Sequence, residues 1–373
     1  MNNLEENFDS ISPYADEEVS NVIKSLTNDK KFHDLISAQI YPSIFKIIPG
    51  LSSFLFRKTF VKSFGNSKSI EQFQNNLAPF VEEMIKRTTD GFSYSGSENL
   101  SSLPTLYISN HRDIALDSLF LNFARFVEGQ KTVRIAIGDN LLDSGFFEKL
   151  MRLNKSFVVH RNIKGAKETL IKLGNLSRYI SHSLTADQES IWIAQSDGRA
   201  TDGHDFTDPA VLKMLYLASR KTLEINEWVK QVNLTPVSIS YEYDPLDITK
   251  AIGREGWDEV SYEENNQRDL RELVKGIKEP KGRVHLHIGK SITEKINQIE
   301  DLAEVIDSEI ITNYKLWPSN YISANALGLS SETENFEGKK KSFLFRFKSL
   351  DTTTRKKVLR MYSAPFQNQK KRG

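Results

Sequence analysis

The chain contains no cysteine. That removes disulfides, thiolate nucleophiles and cysteine-bound zinc from consideration, and it fits a reducing cytoplasm. It also lacks any run of about 18 uninterrupted apolar residues, the length a spanning helix needs. The nearest approach, residues 40–60, is broken by Lys46, Pro49, Gly50, Arg57 and Lys58. Such a segment reads as one that lies in a membrane surface or folds as a helical hairpin. No G-x-S-x-G elbow is present, which argues against serine esterase chemistry. The opening residues, MNNLEENFDS, are acidic and polar and unlike a secretory signal.

What is present is an ordinary globular composition, 39% hydrophobic and 27% charged over 373 residues, enough for one large domain or two smaller ones. The net charge of +1 conceals an asymmetry. Residues 339–373 hold twelve Lys and Arg against one acid, Asp351, which leaves the rest of the chain acidic. Phe343, Leu344, Phe345, Phe347 and Leu350 are interleaved with those cations. This basic amphipathic tail suits an anionic lipid surface, and equally a helix docked on the protein's own acidic body. No nucleic-acid-binding module accompanies the charge, so nucleic acid is not the expected partner.

Residues 1–95 read as a helical region, with apolar residues at three- and four-residue spacing over Glu17–Leu26, His33–Ile48 and Ile70–Lys86. The Gly/Ser/Thr-rich stretch Thr88–Ser102 marks a boundary. From there, short β-type runs at Leu103–Ser109, Thr132–Gly138, Ser156–His160, Ser190–Ala194, Leu234–Tyr241 and Arg283–Ile288 alternate with helical patterns. The expectation is an α/β domain over residues 96–320, a largely parallel sheet flanked by helices. Trp257–Lys281 is charged and reads as an excursion, Ile296–Trp317 as a last amphipathic helix, and residues 321–373 as linker and basic tail.

In such sheets ligands gather at the carboxyl ends of strands. Four strand ends carry polar groups: His111, Arg112 and Asp113 after the first run, His160 and Arg161 after Phe157–Val159, Gln195–Arg199 after Ile191–Ala194, and Pro236–Tyr241. A histidine near carboxylates can serve as a general base, and arginines pair with phosphate.

NHRDIALD, FVVHRN, AQSDGRATDG and LTPVSISYE resemble, in order, the four sequence blocks of the glycerol-3-phosphate and 1-acyl-glycerol-3-phosphate (lysophosphatidate) acyltransferase family, over roughly residues 100–245. The resemblance implies acyl transfer from acyl-CoA or acyl carrier protein to a hydroxyl of a phosphate-bearing glycerol acceptor, at the inner face of the cytoplasmic membrane. The thioester is a co-substrate, and no metal or other cofactor is implied. His111 matches the family's base. The family pattern is H-x-x-x-x-D, whereas five residues separate His111 from Asp117. The orienting acid is therefore Asp117 or Asp113, with Asp117 favoured because SLFL follows it as in the family's helix. Arg161, and Asp197-Gly198-Arg199 in place of the family's Glu-Gly-x-Arg, match its substrate-binding positions, with Arg112 beside the base. Pro236 matches a structural position in the fourth block.

Other motifs read more plainly. His-Arg-Asp resembles a kinase catalytic loop, but the asparagine that loop needs is replaced by Ser118 and no glycine-rich phosphate loop precedes it. His285 and His287 share a strand face without a third metal ligand at useful spacing, and His160 alternates away from Arg161. Asp202, His204, Asp205 and Asp208 read as a solvated loop and helix cap. Two rivals to the enzyme remain, a catalytically silent lipid-surface binding protein and a hydrolase using the same His/Asp pair.

Overall fold

The computed structural model describes residues 8–142, 145–161, 163–253, 271–330 and 336–372. In chain order the helices and strands are α1 (Asp16–Thr27), α2 (Lys30–Ile40), α3 (Pro42–Ile47), α4 (Pro49–Phe64), α5 (Ile70–Thr88), β1 (Phe92–Ser95), β2 (Leu106–Ser109), α6 (Leu116–Val127), β3 (Arg134–Gly138), α7 (Phe146–Leu153) and β4 (Ser156–Val159). There follow α8 (Ala166–Thr185), β5 (Ile191–Ala194), α9 (Pro209–Tyr216), α10 (Ile225–Gln231), β6 (Thr235–Tyr241) and α11 (Asp247–Ile252). The last are α12 (271–278), β7 (Val284–Ile288), α13 (Ile299–Asn313), α14 (Pro318–Ala326), α15 (Glu337–Phe345) and α16 (Thr352–Arg372).

Two compact units result. One joins residues 1–82 to 134–163; the other holds 83–133 and 164–373. In the first, Asp29 caps α2 by accepting the Phe32 N–H at 3.0 Å. Proline then cuts the expected long helix: Pro42 disfavours helical geometry at Tyr41, and Pro49 starts α4 at a position that needs no donor. Phe56, Phe60 and Phe64 recur at four-residue spacing and line the buried side of α4, where the Phe32 ring meets Phe56 and Phe60 at 5.3 and 5.2 Å. The opposite side stays bare. Phe54 is 58% exposed and Leu51 is exposed as well, and before α4 the chain also exposes Ile40, Ile48 and, at 80%, Ile47. No helix of the described residues is long and apolar enough to cross a membrane. Strands β3 and β4 of this unit pair in parallel.

In the second unit the strand order is β1-β7-β6-β2-β5. All its described pairings are parallel except β6 with β7. The α/β architecture with a largely parallel sheet is therefore present. One strand lies where the sequence suggested a boundary. β1 is only FSYS, set among Gly and Ser, and it forms by pairing with β7, Phe92 opposite Val284. Within Trp257–Lys281, residues 257–270 lie outside the described residues, and 271–278 are helical.

Of the two readings of the tail, the docked helix is the one found. Phe343 and Phe347 from α15 and its end, with Val358, Leu359, Met361 and Tyr362 of α16, are buried against Ala251 and Ile322. Tyr362 donates to Asp247 at 2.7 Å and accepts the Asp244 N–H at 2.8 Å; Arg346 pairs with Asp247 at 2.8 Å. Each of these large apolar side chains gains ~1.5–3 kcal/mol from its burial, which favours the docked arrangement. The cations point the other way: Lys356, Lys357 and Arg360 on α16, and Lys341 and Lys348 around the 60% exposed Phe345, form exposed rows at helical spacing.

Candidate active site at the end of strand β2

Ser109 ends β2 in register with Ala194 of β5 and Val237 of β6. The main chain then leaves the sheet, and Asn110 continues the ladder with its side chain. Its Nδ2 donates to the Ile239 carbonyl at 2.9 Å and its Oδ1 accepts the Ile239 N–H at 2.8 Å. A primary amide has the donor and acceptor of a peptide group, so it can hold β6 while the backbone turns outward. His111 sits on that turn. Its carbonyl accepts the Ala200 N–H at 2.9 Å, which ties the DGRA loop to it.

The His111 Nδ1 lies 2.9 Å from Asp117 Oδ2. The same oxygen accepts the N–H groups of Arg112 at 2.7 Å and Asp113 at 3.0 Å. The other oxygen accepts the Tyr241 hydroxyl at 2.6 Å. Burial alone pushes the Asp117 carboxyl up, but His111, Tyr241 and the Asp113 amide outweigh it and hold it below the usual carboxylate range. An ionised carboxylate only accepts, so Nδ1 carries a proton, and in the neutral imidazole the lone pair is then on Nε2. The imidazole is held edge-on to Trp192, with ring centroids 5.8 Å apart.

The extra residue between His111 and Asp117 is taken up before the helix. α6 starts only at Leu116, so Asp117 lies in its first turn and reaches back over the loop, where the helix dipole also favours its charge. Asp113 is committed elsewhere. Its Oδ1 accepts the N–H groups of Ala115 and Leu116 at 3.0 and 2.9 Å. Its Oδ2 is buried with no hydrogen-bond partner among the described residues. A Cβ at Gly276 of α12 would stand 2.5 Å from that oxygen, so only glycine lets the helix pass over it. Burial, then the Asp117 charge, raises the Asp113 carboxyl above its usual range.

Arg112 is placed unlike the substrate ligand expected of it. Its guanidinium is 2% exposed and engaged by this chain's own groups. It pairs with Asp205, with Asp244 at 3.2 Å, and donates to the Gly203 carbonyl at 3.0 Å, over the Tyr314 ring. Lys250 completes the cluster, bonded to Asp244 and to the Arg112 carbonyl. Two cations and two carboxylates thus satisfy one another out of water, which a buried charge requires. Asp205 is for the same reason not part of a solvated loop, whereas Asp208 does cap α9.

In the third block Gly198 takes φ +85°, a conformation that favours glycine, at the point where the loop reverses. Arg199 follows. Its Nη2 pairs with Glu272 Oε2 of α12 at 2.7 Å, and its Nη1 is buried with no hydrogen-bond partner among the described residues. Arg161 belongs to the first unit. Its N–H donates to Asp139 Oδ1 at 3.1 Å, and its side chain passes so near Gly138 that a Cβ there would meet Nε at 2.7 Å. His160 pairs with the same Asp139 at 3.1 Å. His285 and His287 hydrogen-bond to Ser93 and Ser95. No group of three or more His, Asp or Glu side chains among the described residues could hold a metal ion.

Sequence reasoning missed the parts played by Asn110, Tyr241 and Glu272. Asn110 read as a turn or helix-cap residue, Tyr241 as the end of an apolar strand, and Glu272 lay in a stretch taken for an excursion.

No curated protein matches the chain. Among solved structures, the 1-acyl-sn-glycerophosphate (LPA) acyltransferase PlsC from Thermotoga maritima is similar at TM-score 0.39 and 14% identity, over 76% of this chain and 95% of that one. Residues 91–207 match the family model described as Acyltransferase. That span runs from the start of β1 through β2, α6 and the DGRA loop, so the His111–Asp117 pair lies inside the stretch that is similar to the Acyltransferase family.

Proposed function

We propose that the protein moves an acyl chain from acyl-CoA or acyl carrier protein to a hydroxyl of glycerol 3-phosphate or lysophosphatidate. The observation that carries this reading is the hydrogen bond between His111 Nδ1 and Asp117. With Nδ1 bonded to Asp117, Nε2 is the base. It takes the proton of the acceptor hydroxyl as that oxygen attacks the thioester carbonyl. The C–S bond then breaks, and the departing thiolate takes the proton back from the imidazolium. No acyl-enzyme intermediate forms, and the scheme needs no cofactor beyond the thioester. Arg199, whose Nη1 has no hydrogen-bond partner among the described residues, is the ligand for the acceptor phosphate. The Asp197-Gly198 turn presents it. The family resemblance alone assigns the same role to Arg161.

The enzyme works as a peripheral protein on the cytoplasmic face of the membrane, in this reading. The exposed apolar residues around Ile47 and Phe54 suit insertion among acyl chains, and the cationic rows of α15 and α16 suit anionic headgroups. The deciding experiment incubates purified protein with acyl-CoA or acyl carrier protein and a panel of acceptors, with products identified by mass spectrometry. Acylated glycerol phosphate is expected. Free fatty acid alone would make it a hydrolase, and no product a binding protein.

A further inference from the structure

The phosphate ligand proposed above is not vacant, and its occupant has the shape of a substitute. Glu272 Oε2 lies 2.7 Å from Arg199 Nη2, with the two side chains 11% and 13% exposed. One carboxylate oxygen meets one guanidinium nitrogen, and Nη1 is buried with no hydrogen-bond partner among the described residues. Arginine presents a planar fork that a second anionic oxygen would complete. A pairing that uses half the fork, in a place shielded from water, is therefore one that a phosphate group can better. Phosphate brings more charge and more acceptor oxygens than a carboxylate.

Glu272 is also not part of the acyltransferase stretch itself. It lies on α12, whose Gly276 passes over Asp113, so one helix meets both the arginine and the first-block loop. Arg199 in turn follows the Gly198 reversal and precedes Ala200, whose N–H is bonded to His111. The arginine that would carry the phosphate is thus held to the base through a single residue of backbone.

We propose that Glu272 is a specificity-determining residue: it occupies Arg199 in the empty site, and an acceptor is accepted only if its anionic group displaces that carboxylate. This rests on the reading of Arg199 as the acceptor's phosphate ligand. A neutral acceptor gains nothing at Arg199, because it cannot compete with a charge already there. A monoanion exchanges like for like. A phosphate monoester, near −2 at neutral pH, completes the fork and wins. Removing the Glu272 charge removes the competitor without touching the base, so the gain belongs to binding and not to the chemical step.

The test is calorimetric titration of inorganic phosphate into the full-length protein, its Glu272→Gln variant and its Arg199→Ala variant. Glu272→Gln is expected to bind phosphate about tenfold tighter, and Arg199→Ala to lose binding. Glu272→Asp, which keeps the charge but shortens its reach, shifts affinity in the same direction by less and serves if the glutamine variant does not fold. In turnover assays with a phosphate-bearing acceptor, Glu272→Gln lowers KM and leaves kcat unchanged. If both Glu272 variants bind phosphate as the parent does while Arg199→Ala does not bind, the competitor role is overturned and the phosphate site stands. If Arg199→Ala binds as the parent does, the phosphate site falls and the inference with it.

Discussion

The Tyr241 hydroxyl donates to Asp117 Oδ1 at 2.6 Å, from the last residue of β6 to the first turn of α6. That bond leaves Oδ2 alone to face His111 and the two loop amides. It fixes the carboxylate plane from the side opposite the imidazole, so Tyr241 is a positioning residue. Tyr241→Phe should cost about 1.5–3 kcal/mol in denaturant unfolding, the usual worth of a hydrogen bond to a charged group. Turnover should fall by no more than about tenfold, because three donors still hold Oδ2. Unchanged stability would mean that the bond contributes nothing.

His111→Ala should lower turnover by ~10²–10⁴, the range for loss of a general base. Wild-type rates in a folded variant would remove His111 from the mechanism.

Asp117→Asn and Asp113→Asn separate the two carboxylates. An amide at 117 no longer compels the proton onto Nδ1, so turnover should drop by ~10²–10⁴. An amide at 113 still offers an oxygen to Ala115 and Leu116, and turnover should remain within about tenfold of the parent. The reverse pattern would make Asp113 the orienting acid.

Asp113→Asn also has a pH signature. Burial and the Asp117 charge raise the native carboxyl above the 3.8 of the unfolded chain. Between those two pKa values the native state holds more protons than the unfolded one, so the parent loses stability as pH rises through that window. The asparagine variant has no such loss. It should melt higher than the parent at pH 7, and the difference should shrink to nothing as pH falls below the unfolded value. A difference independent of pH would place its origin elsewhere.

The docked tail changes how membrane binding must be tested. Deleting it would unfold core, as Phe343→Ala alone should cost ~3–5 kcal/mol. Reversing the exposed cations Lys356, Lys357 and Arg360 to Glu leaves the buried side intact. Binding to phosphatidylglycerol vesicles should then weaken by at least ~1 kcal/mol per residue, with an unchanged melting temperature. Equal binding would show that this face meets no lipid.

The contact between His111 and Asp117 was legible because a histidine and a nearby carboxylate sit in one short motif. The choice between Asp117 and Asp113 was not, because it turns on where α6 begins, and a one-residue change in loop length lies below what periodicity resolves. Arg112 shows the converse. Its place beside the base suggested a ligand, but Asp205 and Asp244, far away in sequence, claim it. The sheet was legible in its long apolar runs and lost at FSYS, which is a strand only because β7 lies beside it. The tail's aromatics fitted lipid and core equally, and only the docking partners Ala251 and Ile322 decide between them.

Gly203 lies so close to α16 that a Cβ there would meet the Met361 carbonyl at 2.0 Å. The loop that carries Arg199 and Asp205 is therefore braced by residues more than 150 positions later in the chain. During synthesis, all four sequence blocks leave the ribosome well before Met361 does. Until α16 has emerged and packed, the nascent chain holds its central loop without that brace.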